Sequence, residues 1–208
     1  QSPPGVEPPE VGLVVVAVPP AVTATVISDV LRRYPRAFVT DVASVKAPIH
    51  RSLVAAGVPV ERYVGGHPMA GSEVSGPGAA RADLIDDRPW VLTPHAESDE
   101  AAVEAVQELV LAARALPVVM PAAEHDRAVA VVSHTPQILA SLLAARLLDS
   151  SDTVVSIAGQ GLRDMTRIAA SDANLWVEIL SANASPVASV LGEVADDLAA
   201  LLSALGSI

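Results

Sequence analysis

His67 sits in the run Gly65-Gly66-His67-Pro68-Met69-Ala70-Gly71-Ser72-Glu73, one imidazole among three glycines. Glycines let the backbone turn tightly and let a ligand approach the ring. A histidine there can serve as a general base, or it can simply satisfy its neighbours in the fold. A second run, Gly159-Gln160-Gly161-Leu162-Arg163-Asp164-Met165-Thr166-Arg167, places two arginines four apart. On a helix that spacing puts both on one face, with Asp164 three residues before Arg167. The pair is either a guanidinium fork for a carboxylate ligand or a solvated ion-pair surface. The glycine pattern of this run follows a loop rather than a strand, so it is no dinucleotide fingerprint. Asp41-Val42-Ala43-Ser44-Val45-Lys46 and Val18-Pro19-Pro20 complete the candidates. Ser44 can cap a helix or reach a ligand, and Val18 and Pro19 can be a plain turn or the lip of a binding crevice. His50, His95 and His125 read as helix-surface or helix-end residues, and no residue is assigned to a metal.

The elements that must hold these residues alternate. Gly12 to Val18 is a β-branched run closed by a proline pair, the pattern of a strand buried on both faces of a parallel sheet. Val22 to Tyr34 has apolar residues at helical spacing and ends in Arg32 and Arg33, cations that suit the last turn. Ala37 to Val42 reads as a second strand, with Ser44 as N-cap of a helix through Ala56. Tyr63 to Gly66, Trp90 to Thr93 and Pro117 to Met120 read as further strands, and Glu100 to Ala115 as a helix. Such alternation implies βαβ units and a parallel sheet, at whose carboxyl-terminal strand ends ligands bind.

After Pro121 no strand pattern survives. Glu124 to Leu148 reads as one long helix kinked at Pro136, followed by helices over Leu175 to Asn183 and Val187 to Leu205. The fold class expected is therefore α/β then all-α: a partial Rossmann-type sheet over 1–120 and a helical domain over 121–208. The last helix lines up Leu191, Val194, Leu198, Leu201 and Leu205 on one stripe. A homodimer through this half would cover them, as would packing within the chain.

Half the residues of this 208-residue chain are hydrophobic, aromatics are 2%, and Lys46 is the one lysine. The core is expected to be aliphatic. A formal charge of −11 argues against nucleic acid and anionic membranes. The chain lacks cysteine, which rules out disulfides and thiolate chemistry and fits a reducing cytoplasm. Val11 to Val22 is too short to span a bilayer and lacks a basic flank for a signal peptide. The opening QSPPGVEPPE reads as a loop cut from a longer protein.

In order, the stretches VVVAVPP, VTDVASVK, YVGGHPMAGSEVSGP, WVLTP, EHDRAVAVVSHTPQ and GLRDMTRIAASDANLW resemble the prephenate/arogenate dehydrogenases of tyrosine biosynthesis. The resemblance spans nearly all of residues 11 to 183. It implies oxidative decarboxylation of a cyclohexadienyl acid, with hydride passing to NAD or NADP and no part for nucleic acid or membrane. It gives His67 the role of base toward the ring hydroxyl, and places Ser44 beside that hydroxyl and the nicotinamide. Arg167 would hold a substrate carboxylate, with Arg163 nearby. Glu73 and Asp164 would join an ionic network around the substrate, and His134, on the first long helix, and Gln137 would bind the substrate as well. Val18, Pro19 and Asp41 would lie along the cofactor. His67 and Arg167 would then have to reach one ligand. Gln137 stands where the family often has a second histidine, which makes arogenate as plausible a substrate as prephenate. The family's opening strand, G-x-G-x-x-G turn and helix are not in this sequence, so cofactor should bind this chain weakly or not at all. β-Hydroxyacid dehydrogenases use a helical-half lysine, which Lys46 cannot supply. A non-catalytic dimeric scaffold would need neither His67 nor Arg167.

Overall fold

The computed structural model describes residues 11–71, 78 and 80–207; the proline-rich opening lies outside them. The chain divides into two compact units, Gln1–Ala70 with Ala82–His125, and Gly71–Arg81 with Asp126–Ile208.

The first unit is a five-stranded sheet in the order β1-β2-β3-β4-β5, formed by Leu13–Val16, Phe38–Asp41, Tyr63–Pro68, Pro89–Thr93 and Leu116–Val119. Helices α1 (Pro20–Arg33), α2 (Ala47–Ala55) and α3 (Glu100–Ala112) cover it. Alternation along the strands sorts the core. Val16, Val39 and Tyr63 pack with Ile27, Leu31, Ile49 and Leu53 on one face. Val64, Trp90 and Leu92 pack with Ala102, Val106 and Val110 on the other. Each such buried aliphatic side chain contributes about 1.5–3 kcal/mol.

Three expectations need correction. The sheet is not parallel throughout: β1, β2 and β3 run parallel, β4 is antiparallel to β3, and β5 is parallel to β4. The chain re-enters the sheet at the end where β3 leaves it, and Met69 N–H donates to Pro89 O (2.7 Å) across the return. Nor is β1 buried on both faces: Val16 is buried but Val15, which points to the other face, is 41% exposed. Ser44, finally, does not cap α2. That helix starts at Ala47 with Lys46 in the N-cap position and proline in its first turn. The chain before it is folded around Asp41, whose carboxylate takes the Ala43 N–H (2.8 Å) and the Lys46 ammonium. Ser44 therefore comes too early to reach the helix end.

The second unit is helical. Helix α4 (Ala122–Val129) carries the junction between the units and runs through a π-helical turn, Ala130–His134, into α5 (Thr135–Ala145). Helices α6 (Asp152–Ser156), α7 (Gln160–Thr166), α8 (Ala173–Ala182) and α9 (Ala184–Leu205) follow. The expected kink at Pro136 is instead a π-turn just before it: Pro136 has no N–H to give the preceding turn, and Thr135 N–H reaches back to Ala130 O. By length and apolar content alone Ala122–Ala145 could cross a membrane. Its buried face carries His125, Asp126, His134 and Gln137, as the core helix of a globular fold can.

Candidate active site

In the first unit the candidates gather where the parallel strands end. Val18 packs against the core beyond β1, and exposed Pro19 occupies the N-cap position of α1. Ser44 lies half-buried in the bend beyond β2. His67 occupies the penultimate position of β3, opposite Val91 of β4, and is 9% exposed.

Asp41 departs from its expected cofactor-binding role. It is wholly buried and accepts from Lys46 Nζ, Ala43 N, Tyr63 Oη (2.7 Å) and Gly66 N (3.4 Å). Lys46 in turn donates to Gly66 O (2.6 Å). With its oxygens engaged, this carboxylate ties β2 to β3 and α2 rather than meeting a ligand. Removing one member of such a buried pair costs about 3–5 kcal/mol.

The glycines before His67 do not make a turn either. Gly65 and Gly66 are strand residues, and a Cβ would stand 2.5 Å from Thr93 Oγ1 at the first and 2.5 Å from Asp41 O at the second. They are small because β2 and β4 press in on both sides, and that closeness fixes where His67 points.

His67 Nδ1 lies 2.8 Å from Nε2 of His125, with the rings edge to face at 5.1 Å. His125 is fully buried in the first turn of α4, and so is not the helix-surface residue expected. One ring donates and the other accepts, so the contact fixes the orientation of His67 and couples the tautomers of the two rings. The sequence offered one signal for it. His125, Val129 and His134 are buried at intervals of four and five along the helix, a face that the charged neighbours Glu124, Asp126 and Arg127 hide.

In the second unit His134 is buried at the end of the π-turn, where its Nδ1 accepts from Asn183 Nδ2 (3.0 Å). The same amide donates to Asp126 O (2.8 Å), so His134 is neutral with its proton on Nε2. Its ring meets Trp176 edge to face at 5.9 Å. Asn183, at the junction of α8 and α9, was not singled out from sequence. Gln137 is buried and donates to Ile168 O (3.0 Å), which holds the 3-10 turn Arg167–Ala170. Arg163 and Arg167 do not share one α-helical face, because α7 ends at Thr166 and Arg167 opens the tighter turn. Both are exposed, and Asp164 accepts from Gln160 Nε2 (2.7 Å). A cavity of about 290 Å³ nearby is lined by Gln137, Ile138, Ala169, Trp176 and Leu180 among others. Glu73 lies outside the described residues.

Among known proteins, residues 8–119 match the model of the prephenate dehydrogenase nucleotide-binding domain, and 121–207 that of the prephenate dehydrogenase dimerization domain. A Streptomyces niveus protein described as a probable prephenate dehydrogenase, NovF, is 43% identical over 97% of this chain and 56% of its own length. The cyclohexadienyl dehydrogenase of Zymomonas mobilis is 30% identical over 94% of this chain and 64% of its own. Prephenate dehydrogenase from Aquifex aeolicus, solved with hydroxyphenyl propionate and NAD+, superposes with a TM-score of 0.84. The match has 27% identity and covers 93% of this chain and 68% of that one. The chain spans about half the length of the curated relatives it matches.

Proposed function

This chain belongs to the prephenate dehydrogenase family, and we propose on that premise that its complete protein oxidatively decarboxylates prephenate or arogenate in tyrosine biosynthesis. The observation that carries the proposal is the buried His67–His125 pair at the carboxyl end of β3. His67 takes the proton from the ring hydroxyl, and His125 holds the base in the tautomer that can accept it. A base so placed is worth about 10² to 10⁴ in rate. As the proton leaves the hydroxyl, hydride leaves the same carbon. The bond to the ring carboxylate breaks, CO2 departs, and its electrons complete the aromatic ring.

The strand ends suit a nicotinamide. Val18 and Pro19 offer an apolar lip and Ser44 a hydroxyl, at the end of the sheet where such folds hold ligands. These residues would hold the cofactor, NAD or NADP, which when bound supplies the hydride acceptor. Arg167, with Arg163 beside it in sequence, binds a substrate carboxylate, and His134 and Gln137 keep the helical scaffold of that arginine in place. Glu73 and Asp164 add acidic partners to the same network. We assign nucleotide binding to 1–120 and substrate binding with dimerisation to 121–208, and place the enzyme in the cytoplasm as a homodimer. Exposure of Leu198, Leu201 and Leu205 along one stripe of α9 supports the dimer.

The test is cofactor reduction by the complete protein, followed at 340 nm with each substrate and each nicotinamide in turn. Turnover with one of the four combinations is expected. Silence in all four refutes the assignment.

A further inference from the structure

We propose that His50, His95 and Glu97 form a binding site for a divalent transition-metal ion with zinc-like chemistry, at the end of the first unit's sheet opposite His67. Their ligand atoms lie within 4.8 Å of one another. The register explains the location. Because β4 runs antiparallel to β3, Thr93 pairs with Gly65 and the chain leaves β4 near the amino-terminal end of β3, whereas His67 stands at its other end. There the segment after β4 meets His50, in the first half of α2.

Two features of the hydrogen bonding point to a cation. His95 Nε2 lies 3.1 Å from Val60 O, which can only accept, so that nitrogen carries a proton. In the neutral ring Nδ1 is then a bare lone pair, yet it lies 3.0 Å from Glu97 Oε2. Two lone pairs at that distance repel unless something positive stands between them, a proton or a metal ion. The second feature separates these two. His50 Nε2 is buried with no hydrogen-bond partner, and its ring lies 4.5 Å from that of His95. A proton on His95 would satisfy Glu97 and leave the His50 nitrogen stranded, at a desolvation cost of about 1–3 kcal/mol. One metal ion takes lone pairs from all three.

The rest of the setting agrees. Metal-bound histidines characteristically give their other N–H to a carbonyl, the arrangement His95 already has with Val60. Two histidines and a carboxylate are a known zinc ligand set, with the fourth position left for water. Donors about 2.0–2.2 Å from a tetrahedral ion stand roughly 3.5 Å apart. The His95–Glu97 pair at 3.0 Å therefore opens slightly while the widest separation, at most 4.8 Å, closes by about an ångström, within reach of the exposed Glu97 side chain. Burial first, then the neighbouring His95, hold the His50 imidazole below its usual range, with Glu97 opposing. The depression beside His95 adds Glu100 and Glu104, and the chain as a whole carries a net charge of −11. A bound ion would clamp α2 to the β4–α3 connection. This inference does not depend on the dehydrogenase assignment.

The experiment titrates metal-stripped full-length chain with Zn²⁺, and with Co²⁺ to read coordination from its visible absorption. One equivalent is expected to bind, with the Co²⁺ spectrum of a four- or five-coordinate nitrogen and oxygen site and a higher melting temperature. His50→Gln should weaken that binding about 100-fold and Glu97→Gln about 10-fold, while His67→Asn leaves it unchanged. His50→Gln is the decisive variant, because it breaks no bond at Nε2 and so spares the fold. Absence of stoichiometric binding overturns the proposal. So does binding that survives His50→Gln or disappears with His67→Asn.

Discussion

The two units bury their apolar residues to different degrees. In the first, Ile27, Val39, Val64, Leu92, Val106 and Val110 are almost fully enclosed between the sheet and α1 to α3. In the second, buried hydrophobics are few (Val129, Ala130, Ala140, Ile179 and Val187), while Val131, Val132, Leu142, Leu148, Ile157, Leu198, Leu201, Leu202 and Leu205 are exposed. Similar apolar sequence thus serves two ends: a closed core that fixes polar side chains within it, and a surface that needs a partner. Large exposed apolar patches mark interaction sites. Precision is expected from the first unit and association from the second.

The largest effect tests the precision. His67→Asn in the complete protein should lower kcat by about 10² to 10⁴ with little change in melting temperature. Unchanged turnover would reduce the buried His67–His125 pair to packing. Next comes Asp41→Asn, which leaves the Lys46 ammonium beside a neutral amide and should cost about 3–5 kcal/mol in urea unfolding. A double change, Asp41→Leu with Lys46→Met, should not recover that loss, because it strands the buried Ala43 N–H and Tyr63 hydroxyl that the carboxylate accepts from. Full recovery would mean that the ammonium is the one group Asp41 is there to satisfy. A smaller effect probes association. Leu201→Asp should weaken self-association by roughly 100-fold, about 3 kcal/mol, by placing a carboxylate in an apolar contact. Sedimentation would show a monomer with its sheet unit still folded. A dimer unmoved by Leu201→Asp puts the interface elsewhere.

Much of the first unit was legible because its signals are local. The β-branched run around Val14 to Val16, the helical spacing of Val26, Ile27, Val30 and Leu31, and the proline pair between them place β1 and α1 within a few residues. Strand direction leaves no such trace: Trp90 to Thr93 alternates in the same way whichever way it runs, so the reversal at β4 was not visible. The pairs that build the candidate site are equally remote in sequence. His67 and His125 are 58 positions apart, and Asn183 meets His134 across 49. Gly65 and Gly66 carried a correct signal with the wrong cause, since backbone crowding and tight turning both select glycine. Gln137 was legible only through a resemblance, and its partner, a carbonyl, has no side-chain signature at all.

That last contact supports the smallest prediction. Gln137 Nε2 to Ile168 O is one neutral hydrogen bond between α5 and the turn that begins at Arg167. Such a bond is worth about 0.5–1.5 kcal/mol, so Gln137→Ala should raise KM about 2- to 10-fold. The turn would loosen, and the exposed arginine with it, while the chemistry at His67 stays as it was. kcat should therefore hold, and Gln137→His, whose ring can also donate, should recover part of the loss. A fall in kcat at constant KM would contradict the positioning role, because it would mean that Gln137 acts on the reacting atoms and not through the backbone of Ile168.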